Sequence, residues 1–187
     1  MLVNWSFISQ IEGGRRLIGY VPSPEAGESG VTVATAVDLG HYPPSAIDAM
    51  RIPDELKAKL KLYAGLKGEA AVGALSAHPL SLTSPEAEAL DDAAKKPIVQ
   101  QVIASYNAAV QDKGGLEPYE MLPEAAQTVI ASVALKYGTN LPIRVPRFWE
   151  CVCTQDWPAA VAELEAWGTS HHGRHTHEAD LLRTVLR

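Results

Sequence analysis

Apolar residues recur at helical spacing through most of the chain, interrupted by one stretch where they cluster as β-formers. Phe7, Ile8 and Ile11 share one side of an opening helix, with Asn4 placed to cap it and Gly13-Gly14 to end it. From Leu17 to Leu39 the pattern changes. Tyr20-Val21 and Val31-Thr32-Val33 flank the turn-rich run PSPEAGESG, which predicts a hairpin or small sheet. Pro43-Pro44 restarts helix with Ala46, Ile47 and Met50, and Pro53-Asp54 opens another carrying Leu56, Leu60 and Tyr63. Thr83-Ser84-Pro85-Glu86 is a helix start with proline at the first helical position. That helix is expected to kink or break at Pro97 and resume through Val102, Tyr106 and Val110 to Gly114-Gly115. Ala126, Val129, Ile130, Val133 and Tyr137 mark one apolar stripe on the next helix, closed by Gly138. Two short helices, around Trp157 to Trp167 and Arg174 to Leu186, complete the pattern. The fold class is α+β, predominantly helical, with one small sheet. One domain is expected over residues 1–187, with the first helix and β segment in 1–40 and a helical lobe in 41–187.

At 187 residues the chain is long enough to bury roughly 70% of the surface its unfolded form exposes, so it needs no staples. Acidic residues outnumber basic ones, 22 to 16, and the net charge of −6 excludes the basic stripe of a nucleic-acid binder. Cys151 and Cys153 are too few and too close for a disulfide framework; a buried cysteine beside Trp149 is the expected state. No basic segment followed by an apolar core opens the chain, and no run of about 18 apolar residues spans a membrane. Nucleotide-binding glycine motifs, GxSxG and HExxH are all missing from the sequence. His171, His172, His175 and His177 invite a metal reading, but no cysteine or carboxylate set completes a site, so an exposed polar stretch is expected and no metal.

One constellation remains. Glu12 stands where the first helix ends, Thr32 follows twenty residues later, and Asp38 six beyond it. On one extended strand an even offset would put Thr32 and Asp38 on the same face. Glycoside hydrolysis asks for a carboxylic acid that protonates the leaving oxygen and an ionised carboxylate on the other side of the bond. Glu12 is the candidate acid, because it follows an apolar helix and burial favours a neutral carboxyl. Asp38 is the candidate carboxylate that activates or positions a water, with Thr32 as its hydroxyl partner. Spacing alone is met equally well by surface and capping residues.

The run EGGRRLIGYVP (12–22), followed by SGVTVATAVDLG (29–40), resembles the active-site segment of pesticin-type lysozyme domains, a branch of the phage-type lysozyme superfamily. Glu12, Thr32 and Asp38 fall on that family's glutamate, threonine and aspartate. The resemblance continues at LPEAAQTVIASVALKYG (122–138), Phe148-Trp149, QDWPAAVAELEAWG (155–168) and GRHTHEADLL (173–182). It implies a lysozyme-like fold and a cofactor-free muramidase that cleaves the β-1,4 bond between N-acetylmuramic acid and N-acetylglucosamine in peptidoglycan glycan strands. Tyr20 and His41 are candidate substrate contacts, and Arg174 is a candidate partner of the acid glutamate. Ala34 and Ala36 stand where the family commonly has glycine, which implies a stiffer strand or a narrower cleft. His175 replaces the second arginine of the family's ending.

Without a signal peptide, the expected route is synthesis in the cytoplasm and action in the periplasm of a target or host bacterium. One origin that fits is an antibacterial type VI secretion effector, with a secretion-machine component and a cognate immunity protein as partners. A phage endolysin of the same activity is the alternative. A catalytically inactive lysozyme-like module that binds glycan or a partner protein is the rival from another class.

Overall fold

The computed structural model of the chain describes residues 2–111, 113–168 and 173–186. Two compact units emerge, Glu12–Lys96 and Met1–Ile11 with Pro97–Arg187. The first helix groups with the C-terminal half, and the sheet groups with the helices up to residue 96.

In the unit Glu12–Lys96, strands β1 (Arg16–Tyr20), β2 (Thr32–Ala34) and β3 (Val37–Asp38) form an antiparallel sheet in that order. Helices α2 (Pro44–Ala49), α3 (Asp54–Lys61) and α4 (Gly68–Ala77) follow. Val31, Val33, Leu39, Ile47, Leu60 and Leu90 are fully buried in one core here. The sequence pattern did not predict α4, because its run GEAAVGALSA is rich in small residues and has no strong apolar period.

Helix α5 (Ser84–Val110) begins in a capping box. Thr83 N donates to Glu86 Oε2 at 2.8 Å, and Glu86 N donates back to Thr83 Oγ1 at 3.4 Å. It runs unbroken through Pro97, against the expected interruption. A proline inside a helix costs about 3 kcal/mol or more. Burial on both sides of it offsets that cost, with Ala87 and Leu90 before it and Val99, Val102 and Tyr106 after it, each 1% exposed or less.

The other unit holds α1 (Trp5–Ile11), α6 (Glu124–Tyr137), α7 (Leu141–Arg144), α8 (Pro146–Cys153), α9 (Trp157–Ala166) and α10 (Arg174–Arg183). Asn4 caps α1 as expected, its Oδ1 accepting from Phe7 N at 3.0 Å. Ile8 of α1 packs with Val99 and Ala131. The α6 stripe predicted from the sequence is wider than expected, since every residue from 125 to 134 is buried. Its polar residues are satisfied: Gln127 Oε1 accepts from Leu2 N, and Thr128 Oγ1 from Asn4 N. Among the described residues no helix is long and apolar enough to cross a membrane.

Candidate active site

Thr32 and Asp38 are direct cross-strand partners between β2 and β3, and Tyr20 is the partner of Thr32 on β1. Directly opposed residues project to one face, so Tyr20, Thr32 and Asp38 form a single row across the sheet. The chain from 32 to 38 is thus not one extended strand but a hairpin that reverses at Thr35-Ala36. Left-handed backbone at Ala34 (φ 54°) and Ala36 (φ 57°) makes the reversal. These are the two positions where glycine was expected, and a residue with a Cβ adopts that conformation at a cost of about 1–2 kcal/mol.

Backbone amides grip the Asp38 carboxylate. Its Oδ1 accepts from Gly40 N at 2.8 Å and from Gly30 N at 3.1 Å, and Oδ2 lies 3.2 Å from Gly30 N. A Cβ on Gly30 would stand 2.4 Å from Asp38 Oδ1 and 2.4 Å from Gly40 N, so only glycine fits. Asp38 Oδ2 also faces His41 Nε2 at 3.6 Å, and the His41 side chain is 63% exposed. Thr32 is buried, and its Oγ1 donates to Gly30 O at 3.3 Å. Tyr20 is half-buried, with the Arg16 guanidinium 4.4 Å over its ring. Burial, and then the Asp38 charge, raise the Tyr42 phenol above its ordinary range.

Glu12 follows α1 directly and precedes two glycines with positive φ, Gly13 (90°) and Gly14 (82°). Its side chain is 9% exposed. It also has a partner the sequence did not announce: Lys95 Nζ donates to Glu12 Oε2 at 2.7 Å. Lys95 in turn stands 3.9 Å from Asp91 Oδ1, one turn earlier on α5. Asp91 Oδ1 accepts from Thr35 N at 2.9 Å. Asp91 Oδ2 accepts from Thr35 Oγ1 at 2.8 Å and from Arg15 Nε at 3.0 Å. Glu12 and the hairpin that carries Thr32 and Asp38 are therefore tied to the same helix. The only signal available for these residues was the i, i+4 spacing of Asp91 and Lys95, which ordinarily marks a solvated helix face.

Arg174 is buried at the start of α10. Its Nε donates to Glu178 Oε1 at 3.1 Å, and its Nη2 donates to Ser132 O at 2.9 Å and to Ser132 Oγ at 3.0 Å. His175 is fully buried, with Nδ1 2.7 Å from Glu178 Oε2 and Nε2 3.0 Å from the Tyr137 hydroxyl. The exposed histidine stretch expected here therefore fails at His175, because an anionic partner and two aromatic rings, Tyr137 and Trp167, enclose its imidazole. His177 is exposed, and His171 and His172 lie outside the described residues. No group of three or more His, Cys, Asp or Glu among the described residues could hold a metal ion. Cys153 is buried on α8, where desolvation pushes its thiol up to about 11.

A predominantly helical chain with a three-stranded antiparallel sheet, a half-buried glutamate after its first helix and a threonine facing an aspartate across a hairpin is of the lysozyme-like α+β class. Residues 2–158 match the family model described as "Pesticin: Bacterial toxin homologue of phage lysozyme, C-term". The match covers most of the chain, and the chain belongs to this family. No curated protein matches it.

Proposed function

We propose that the chain is a muramidase that hydrolyses the β-1,4 bond between N-acetylmuramic acid and N-acetylglucosamine in peptidoglycan. The observation that carries this reading is the pairing of Thr32 with Asp38 across the hairpin of a lysozyme homologue, with Glu12 tied to that hairpin through Lys95 and Asp91. Glu12 gives its proton to the glycosidic oxygen as the bond from that oxygen to C1 breaks. A water oxygen bonds to C1, and Asp38 accepts the proton that water loses. Oδ2 is the better placed oxygen for this, because Oδ1 is held by two backbone amides. Thr32 Oγ1, already donating to Gly30 O, offers its lone pairs to orient the water. Exchange with solvent returns both carboxyls to their starting states. Tyr20 and His41, on either side of Asp38 and Thr32, are the proposed sugar contacts.

The family's description as a bacterial toxin supports a delivered antibacterial enzyme acting on a rival's wall, such as a type VI effector with an immunity protein in the producer. A phage endolysin would share the chemistry. A second reading, a lysozyme-like module that binds glycan without cleaving it, is favoured by one observation: Asp38 already caps the turn at Leu39–His41 through Gly40 N. Mass spectrometry of soluble products from purified sacculi and from chitin oligomers separates the readings. A muramidase releases muropeptides with reducing N-acetylmuramic acid ends from sacculi. Release from chitin alone would make it a chitinase, and binding without release from either would make it a module.

A further inference from the structure

We propose that Lys95 and Asp91 are positioning residues that fix the acid glutamate and the catalytic hairpin in one frame; this rests on the muramidase reading of Glu12. The residues form a chain of alternating acidic and basic side chains, Glu12–Lys95–Asp91–Arg15, and Thr35 closes it onto the hairpin. Lys95 and Asp91 are each only 8% exposed.

Taking charges out of water costs several kcal/mol per ion, and an apolar substitute of similar volume is often as stable. The neighbouring α5 positions Ala87, Leu90 and Ala94 are apolar and buried, so packing alone would have been served by more of the same. The charges are instead placed where geometry needs fixing. Glu12 leaves the chain just before two glycines in left-handed conformations, the most permissive backbone available. A 2.7 Å bond to Lys95 supplies a side-chain anchor there. Thr35 sits midway between Thr32 and Asp38, and Asp91 holds both its backbone amide and its hydroxyl. One turn of α5 thus grips both halves of the candidate machinery. Neither residue is assigned a contact with the sugar; both act through Glu12 and the hairpin.

The test uses the full chain on purified sacculi, with kcat and KM from reducing-end release and Tm from circular dichroism. Displacing a catalytic group by about 1 Å costs about 10²-fold. Lys95→Met is therefore expected to lose kcat by about that factor, with KM within about two-fold and Tm not lowered. Lys95→Arg restores kcat to within about ten-fold, because it still donates to Glu12. Asp91→Asn falls in between. A Lys95→Met kcat within two-fold of the unaltered chain overturns the proposal, as does a loss that follows Tm and that arginine does not rescue. Should Lys95→Met not fold, a folded Asp91→Asn variant with unaltered kcat overturns it equally. An unaltered chain that releases nothing from sacculi sinks the muramidase reading itself, an outcome distinct from any result on the variants.

Discussion

Backbone amides hold the Asp38 carboxylate, and in the proposed mechanism it also takes a proton from water. Oδ1 terminates the backbone amides of Gly30 and Gly40, and Oδ2 faces His41. Asparagine at this position still presents a carbonyl oxygen to the two amides, but its amide nitrogen cannot take a proton from water. Asp38→Asn is therefore expected to fold and to lose about 10²–10⁴-fold in kcat. In the same mechanism Thr32→Ala removes only the water's hydroxyl partner, so its loss should be the smaller of the two. Turnover measured beside circular dichroism checks both, and an Asp38→Asn variant with near-normal kcat would confine Asp38 to its capping role. Glu12, Thr32 and Asp38 could be singled out as candidates because each stands in a short run that resembles the family's motif. Lys95, Asp91, Thr35 and Arg15 were not, since their contacts join residues 56 to 83 positions apart. The run DDAAKK reads, on its own, as a solvated face.

The hairpin depends on where side chains are forbidden and where they are merely tolerated. At Gly30 an added methyl meets a backbone nitrogen and the Asp38 carboxylate at 2.4 Å. Gly30→Ala is expected to destabilise by about 1–3 kcal/mol, the usual cost of overpacking, and to lower activity with it. At exposed Ala36, with its left-handed backbone, the opposite holds. Ala36→Gly relieves a strain of about 1 kcal/mol and should raise Tm by a few degrees. Thermal melts of the two variants should move in opposite directions; a neutral Gly30→Ala would contradict the geometry of the turn. The sequence predicted strands here and an even offset between Thr32 and Asp38, but not the reversal. The two alanines that make the reversal carry none of glycine's turn signal. Helix α5 teaches the converse, because Pro97 signalled a break that burial on both flanks overrode.

Across the whole molecule, burial raises the phenols of Tyr42, Tyr63, Tyr106, Tyr119 and Tyr137 above the ordinary value of 10.0. Above that pH the unfolded chain gives up phenolic protons that the folded chain keeps, so unfolding releases protons and stability declines as pH rises. Burial raises the Cys151 and Cys153 thiols as well, so Tm should begin to fall above about pH 8.5 and fall more steeply beyond about pH 10. A melting temperature unchanged to about pH 11.5 would mean these tyrosines ionise while folded. The fold class was legible from periodicity, because an apolar helix pattern with one β-rich interruption admits few architectures. The division at 11/12 and 96/97 was not, because it depends on which core each helix joins, as Ile8 does with Val99 and Ala131.

The central claim is that Glu12 supplies the proton that cleaves peptidoglycan. Glutamine at position 12 keeps the size of the side chain and an oxygen for Lys95, and cannot donate that proton as an acid. The measurement is mass spectrometry of soluble products from purified sacculi treated with the unaltered chain and with Glu12→Gln, both verified as folded. Muropeptides with reducing N-acetylmuramic acid ends from the unaltered chain, and none above background from Glu12→Gln, are predicted. Equal release by the two proteins would take the acid role from Glu12 and leave the site described here without its catalyst.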